Sequence, residues 1–498
     1  MKRYHVGLLI FLLSFAPLSK AQLRPLHKKN HSVNKQLKNT LNLPDFKTAG
    51  FAFLAIDLQT QEVIAQHQPD LALKPASTLK LITTASALAL LHPNYKFKTL
   101  LEYTGTIDSN SGVLHGDIII KGGGDPTLGS AHFEQTNGQS FLNHWLEALK
   151  ELGIDSISGG IIGDASLYYP DPIPNTWSWI NLGNYFGAGA CGLSIYDNSY
   201  SLHFSTGDLV GDTASLYAIS PEIPELVVEH FVVADSITYD NTNIFGAPFQ
   251  NHRVVRGTLP LCRADFQVKG SVPDPAYLAA YELHRILSDN GIRINAAPTT
   301  LRQMQASNHL QFLPTTFDTI YSPPLSEIVK QTNTKSINLF AEHCLLQIAL
   351  ESGGTALTDS ATNILKRFWK EKGMDVQGLR IADGSGLSHY NALTPRQMVY
   401  LLSYIKNSSP HFEVFYESLP HAENPGTLKR YFAQNPEIKS VRAKSGTIDG
   451  SKAFAGYVKS KSGREIAFCV IANNFSGSSR KASFELEKLM TALENFDK

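Results

Sequence analysis

Cysteine is scarce in this chain, with 4 among 498 residues. That density excludes a disulfide-dense scaffold, and Cys191, Cys262, Cys344 and Cys469 follow no metal-ligand spacing. Cys344 and Cys469 sit in apolar runs and read as buried thiols. Excess charge is missing too. Lys+Arg and Asp+Glu balance at 44 each, which leaves no basic field for nucleic acid and no acidic tail. There is no His-Glu-x-x-His and no dinucleotide-type glycine fingerprint set between a strand and a helix. Gly122-Gly123-Gly124 runs into Asp125-Pro126 rather than the Gly-Lys-Ser/Thr of a phosphate loop, so it reads as a turn. Neither a metal nor a cofactor is expected. The apolar run from Gly7 to Leu18 is too short to span a bilayer. Lys2 and Arg3 before it and Ser19-Lys20-Ala21 after it make residues 1–21 an expected secretory leader, cleaved on export. No cysteine near position 21 offers a lipid anchor, so membrane association is expected to be peripheral at most.

The length asks for two or three domains. Residues 22–48, polar and rich in Lys and Asn, read as an exposed lead-in. A hairpin over 51–65 leads to Lys74-Pro75-Ala76-Ser77-Thr78-Leu79-Lys80 and an Ala/Leu-rich helix without Gly or Pro. From about 96 to 270 short strand-like runs prevail, interrupted by a helix at 140–152 and by Trp177, Trp179, Tyr185 and Phe186. Helical stretches return at 273–290, 325–352, 358–372 and after Thr394-Pro395. Strand-like runs at 441–445, 453–459 and 465–472 and an amphipathic helix at 483–495 close the chain. The expectation is one α/β domain built from 45–95 and 271–498. A β-rich insert of two nested modules, 96–270, is looped out of it.

Ser77 and Lys80 are three residues apart at the start of the Ala/Leu helix, on one face. A serine hydroxyl becomes a nucleophile when a base takes its proton, and a desolvated lysine is such a base. The helix start adds N–H groups for developing negative charge. The same spacing links Ser32 with Lys35, Ser403 with Lys406 and Ser478 with Lys481, but only Ser77 opens a long apolar helix. Ser336 and Asn338 would diverge on a regular helix and converge on a break between two helical halves. A hydroxyl there relays a proton and an amide binds a carbonyl. The same triplet at Ser288 and Asn290 precedes Gly291 and reads as a helix end. Lys444-Ser445-Gly446-Thr447 ends a strand with a cation, hydroxyls suited to a carboxylate, and a glycine that admits ligand close to the backbone. The Lys461-Ser462-Gly463 copy sits at a hairpin turn.

In that order, the three triplets resemble the Ser-x-x-Lys, Ser-x-Asn and Lys-Thr/Ser-Gly signatures of the penicillin-recognising serine enzymes. The long interval after Lys80 narrows the resemblance, as do Lys121-Gly122-Gly123-Gly124-Asp125-Pro126, Trp177-Ser178-Trp179 and Asp383-Gly384-Ser385-Gly386-Leu387-Ser388. The chain is similar from about 45 to 480 to the class C low-molecular-mass penicillin-binding proteins, the D-alanyl-D-alanine carboxypeptidase/endopeptidase family. The resemblance implies a β-lactamase/transpeptidase-like α/β domain with nested β-rich inserts, located in the periplasm. It implies Ser77 as acylated nucleophile, Lys80 as its base, Ser336, Asn338 and Lys444 as catalytic partners, and Ser445, Gly446 and Thr447 at the substrate. The N–H groups of Ser77 and Thr447 would form the oxyanion hole. Peptidoglycan stem peptides would be substrates, β-lactams inhibitors, and nucleic acid no partner. Three positions depart from the pattern: Ser445 for Thr, Asn181 for Asp, and His389 for Arg. The last two are associated in the family with the charged end of the substrate's diamino-acid side chain.

Overall fold

A computed structural model of the chain describes residues 24–25, 31–168, 172–306, 313–421, 426–428, 431–432 and 435–497. The expected leader, 1–21, lies outside the described residues. A sheet covered on both faces organises the first part of the architecture. After helix α1 (His31–Leu41), strand β1 (Gly50–Asp57) is buried along nearly its whole length and pairs with β2 (Glu62–His67). Such a continuous apolar run requires cover on both faces. Leu54 and Ile56 face one core with helix α2 (Lys80–Leu90). Phe51, Phe53 and Ala55 face the other.

Helices α3 (Leu325–Lys335), α4 (Asn338–Glu351), α5 (Thr358–Glu371) and α6 (Pro395–Ser408) contribute to the first core with α2. Strands β3 (Arg442–Ile448), β4 (Ser451–Lys459) and β5 (Glu465–Asn473) then form an antiparallel meander, and helix α7 (Ser479–Glu494) closes the second face. The sheet runs in the order 24–25, β2, β1, β5, β4, β3, with Gly50 opposite Asn473 and Asp57 opposite Ile466. The first and last parts of the chain therefore share one sheet, and β3 is its edge.

The lead-in corrects one expectation. From His31 the chain is a helix, not an exposed tail, because Val33 and Leu37, one turn apart, pack with Leu486, Leu489 and Met490 of α7.

The intervening chain forms its own sheets. A five-stranded one is ordered Thr299–Thr300, Ile161–Asp164, Ile118–Lys121, Lys98–Tyr103, Thr315–Tyr321. In one three-stranded sheet Ser199–Ser205 is central, and in another His252–Pro260 is. Helices Ser140–Glu151 and Pro275–Asp289 share their core. Sequence composition placed the end of this region at 270, whereas strand pairing within it continues to Tyr321.

Buried polar bonds fasten this region to α4. His343 is wholly buried, with Nδ1 2.8 Å from the Gly124 carbonyl and Nε2 3.1 Å from Ser194 Oγ. Burial lowers its pKa to about 4, so the ring is neutral. Facing a carbonyl, Nδ1 is the N–H, and Nε2 accepts from the serine.

Candidate active site

Ser77 sits on a 3-10 turn, Ala76–Leu79, that feeds directly into α2. Ala76 holds φ +47°, a left-handed conformation rare for a residue with a side chain. Two glycines lie against this turn. A Cβ on Gly386 would come within 2.0 Å of the Ala76 carbonyl oxygen, and one on Gly446 within 2.6 Å of the Pro75 oxygen. Only bare backbone fits on either side of the half-buried Ser77. Within α2, Thr84 and Ser86 turn their hydroxyls onto the Lys80 and Ile82 carbonyls at 2.7 Å, which lets polar residues share the apolar core.

Lys80 is wholly buried. Its Nζ lies 3.1 Å from Ser77 Oγ, 2.6 Å from Asn338 Oδ1 and 2.7 Å from the Ser385 carbonyl oxygen. Burial lowers its pKa from 10.5 to about 7, against the opposing pull of the Asp383 and Glu342 carboxylates. A neutral amine has two N–H groups and one lone pair. The two carbonyl oxygens take the N–H groups, and the lone pair is left for the Ser77 hydroxyl. Asn338 is oriented from its other end, where Nδ2 donates to the Phe186 carbonyl at 2.7 Å.

The Ser385 carbonyl is held in place by two buried carboxylates. Glu342 accepts from the Gly384 N–H at 2.9 Å and the Ser385 N–H at 2.8 Å. Asp383 accepts from the N–H groups of Gly386 and Ser388, from Asn391 Nδ2, and from Trp177 Nε1 at 2.8 Å. Burial and the nearby Asp383 charge raise the pKa of Glu342. The loop is thus a rigid bracket that fixes one acceptor for Lys80.

Ser336 occupies the break between α3 and α4, at φ 65° and ψ 37°. Its Oγ accepts from Lys444 Nζ at 2.8 Å, and the same nitrogen donates to the Ser445 carbonyl at 2.8 Å. Lys444 is wholly buried, and its pKa falls well below the ordinary value through desolvation and the charges of Lys80 and Lys452. At the edge of the sheet, the Ala443 N–H donates outward to Pro420. Alternation along β3 aims the N–H groups of Ser445 and Thr447 the same way. Those groups line the edge beside Ser77.

The folding therefore joins Ser77, Lys80 and Asn338 by direct bonds, and Ser336 to Lys444. Gly446 abuts Ser77, Ser445 supplies a carbonyl to Lys444, and Thr447 is exposed at the rim. Asn181 and His389 lie on different supports. Asn181 is in the short helix Trp179–Leu182, next to the exposed Trp179 and Ile180. His389 is exposed, and burial and the Lys74 charge lower its pKa, against Asp449. The motifs did not reveal Glu342, the Phe186 carbonyl or Lys452. The Asp383-Gly-Ser-Gly string was visible, but not the job of its Ser385 carbonyl.

A family model described as D-Ala-D-Ala carboxypeptidase 3 (S13) matches residues 33–495. The chain belongs to that family. It is a serine-type D-Ala-D-Ala carboxypeptidase and a class C low-molecular-mass penicillin-binding protein. D-alanyl-D-alanine carboxypeptidase DacB of Haemophilus influenzae is 26% identical over 445 residues, covering 88% of each chain. The D-alanyl-D-alanine carboxypeptidase of Actinomadura sp. is 25% identical over 465 residues, covering 89% of this carboxypeptidase and 81% of that relative. Among solved structures, penicillin binding protein 4 (dacB) of Haemophilus influenzae superposes with a TM-score of 0.77 at 23% identity. The match covers 93% of this chain and 98% of that one, which fixes the shared fold. The same protein complexed with a novel β-lactam gives 0.71 at 24% identity.

Proposed function

We propose that this carboxypeptidase removes the terminal D-alanine of peptidoglycan stem peptides through an acyl-serine on Ser77. The observation that carries the assignment is the buried Lys80 Nζ, 3.1 Å from Ser77 Oγ and held there by the Asn338 and Ser385 oxygens. Neutral Lys80 takes the proton as Ser77 Oγ attacks the carbonyl carbon before the last residue. The oxyanion forms against the N–H groups of Ser77 and Thr447, one from the helix start and one from the sheet edge. Ser336, whose oxygen already accepts from Lys444, relays a proton to the departing amine: its hydroxyl hydrogen goes to the nitrogen and the proton held by Lys80 replaces it, which returns Lys80 to the neutral form. The C–N bond breaks and the acyl ester remains. Water, deprotonated by the neutral Lys80, then adds to the ester; the acyl C–O bond breaks and Lys80 returns the proton to Ser77 Oγ, which releases the shortened peptide and restores the serine.

The substrate backbone lies along the open edge of β3, and its terminal carboxylate meets the hydroxyls of Ser445 and Thr447. A D-centred cross-link presents the same bond, so endopeptidase cleavage follows the same steps. A β-lactam presents a strained amide to the same Ser77 and leaves a long-lived ester. The N-terminal leader pattern supports export to the periplasm with residues 1–21 removed, and among the described residues no helix is long and apolar enough to cross a membrane.

The test is incubation with a pentapeptide muropeptide, with Ser77→Ala as control. Wild type should release D-alanine and the variant should not. No release by wild type, or equal release by both, would overturn the assignment.

A further inference from the structure

Lys452 stands at the site although no motif names it. It lies on β4 directly opposite Thr447 of β3, and only 3% of it is exposed. Its ammonium donates to Thr447 Oγ1 at 2.6 Å and to Tyr431 Oη at 2.9 Å. The charge also lies 5.3 Å from the centre of the Tyr431 ring and 5.2 Å from that of Phe454, within cation–π range of both. A lysine among core side chains is costly to bury, and this one reaches from the core to the exposed Thr447 hydroxyl.

The chemistry of that contact has one sense. An ammonium has three donors and no acceptor, so Thr447 Oγ1 accepts. The hydroxyl hydrogen of Thr447 must then donate elsewhere, and the residue is exposed on the rim of the β3 edge. Lys444 does not take this part. Its side chain leaves the opposite face of β3, wholly buried and engaged with Ser336 and the Ser445 carbonyl.

We propose that Lys452 is a specificity-determining positioning residue. It locks the Thr447 hydroxyl as a donor to the substrate's C-terminal carboxylate and so selects a free acid over a C-terminal amide. The inference rests on the carboxypeptidase reading above and adds to it the residue that sets the preference.

Two peptides ending in D-Ala-D-Ala test it, one with a free carboxylate and one amidated. Release of the terminal residue gives kcat/KM for wild type, Lys452→Met, Lys452→Arg and Thr447→Val. Wild type should prefer the acid. Lys452→Met should lose about tenfold to a hundredfold on the acid, the usual range for a hydrogen bond to a charged group, and little on the amide. Lys452→Arg, which keeps the charge, should recover most of the preference. Combining Lys452→Met with Thr447→Val should cost less than the product of the separate losses, because both act through one hydroxyl. Equal losses on acid and amide, or a preference that survives in Lys452→Met, would overturn the inference. A wild type that releases D-alanine without preferring the acid also overturns it and leaves the carboxypeptidase reading standing. No release from either peptide sinks that reading and the inference with it.

Discussion

The pH dependence of acylation probes the base directly. Lys80 acts only when neutral, and its pKa lies at about 7 rather than 10.5. The rate constant for acylation of Ser77 by a fluorescent penicillin should therefore rise through a midpoint near pH 7 and level off above it. Below the midpoint each pH unit removes about tenfold, because the neutral fraction falls by that factor. With an unperturbed lysine, only about three molecules in ten thousand would be active at neutrality. The interval from 10.5 to about 7 corresponds to ~5 kcal/mol, charged to the folded state whenever the buried amine is protonated. Sign follows from linkage. The folded pKa lies below the unfolded one, so the folded state binds fewer protons between them. Stability is then lost as pH falls from 10.5 to about 7 and is not lost further below it. Lys80→Met should abolish acylation while raising stability at pH 6 by up to a few kcal/mol, a gain that disappears near pH 10. The assays are gel fluorescence of the labelled protein from pH 5 to 9 and urea unfolding of both proteins. A flat acylation profile, or a midpoint above pH 9, would refute the reasoning.

Two further outcomes follow from the packing. Gly446→Ala places a methyl group 2.6 Å from the Pro75 oxygen and 3.0 Å from the Ser77 nitrogen, so β3 or the Ser77 turn must shift. Acylation should fall by about tenfold to a hundredfold, with folding retained by circular dichroism; a wild-type rate would show that the edge does not set Ser77. Trp177→Phe removes the indole N–H from the buried Asp383 carboxylate, a bond of the charged class. It should destabilise by about 2 kcal/mol in urea unfolding and slow acylation through the Ser385 carbonyl; unchanged values of both would show that the bracket does not need it.

Much of the site was legible because its parts are short triplets whose chemistry is local. Ser77 with Lys80, Ser336 with Asn338, and Lys444 through Thr447 could be read as units, and the fold brings them together. The sheet was legible where both faces are covered, since β1 and β5 are unbroken apolar runs. The rest depends on partners far apart in sequence. Glu342 lies inside an apolar helix, and nothing in its neighbours says that it will grip Gly384 and Ser385. The Phe186 contribution is a carbonyl, which every residue has. Lys452 is one of two lysines in β4, and nothing in its neighbours separates it from the exposed Lys459 at the strand's end. α1 was missed because its apolar residues are few, Val33, Leu37 and the partly buried Leu41, and polar residues dilute their spacing.

The two carbonyls that prepare Lys80 lie 258 and 305 residues beyond it. An N-terminal fragment ending before them carries the nucleophile beside a lysine that water can still reach and protonate. Its hydroxyl stays inert. Only when α4 and the Asp383 loop have docked on α2 is the amine dehydrated and aimed. Hydrolytic competence is thus tied to completion of the fold: a truncated chain that ends before Asn338 holds Ser77 and Lys80 without the acceptors that aim the amine.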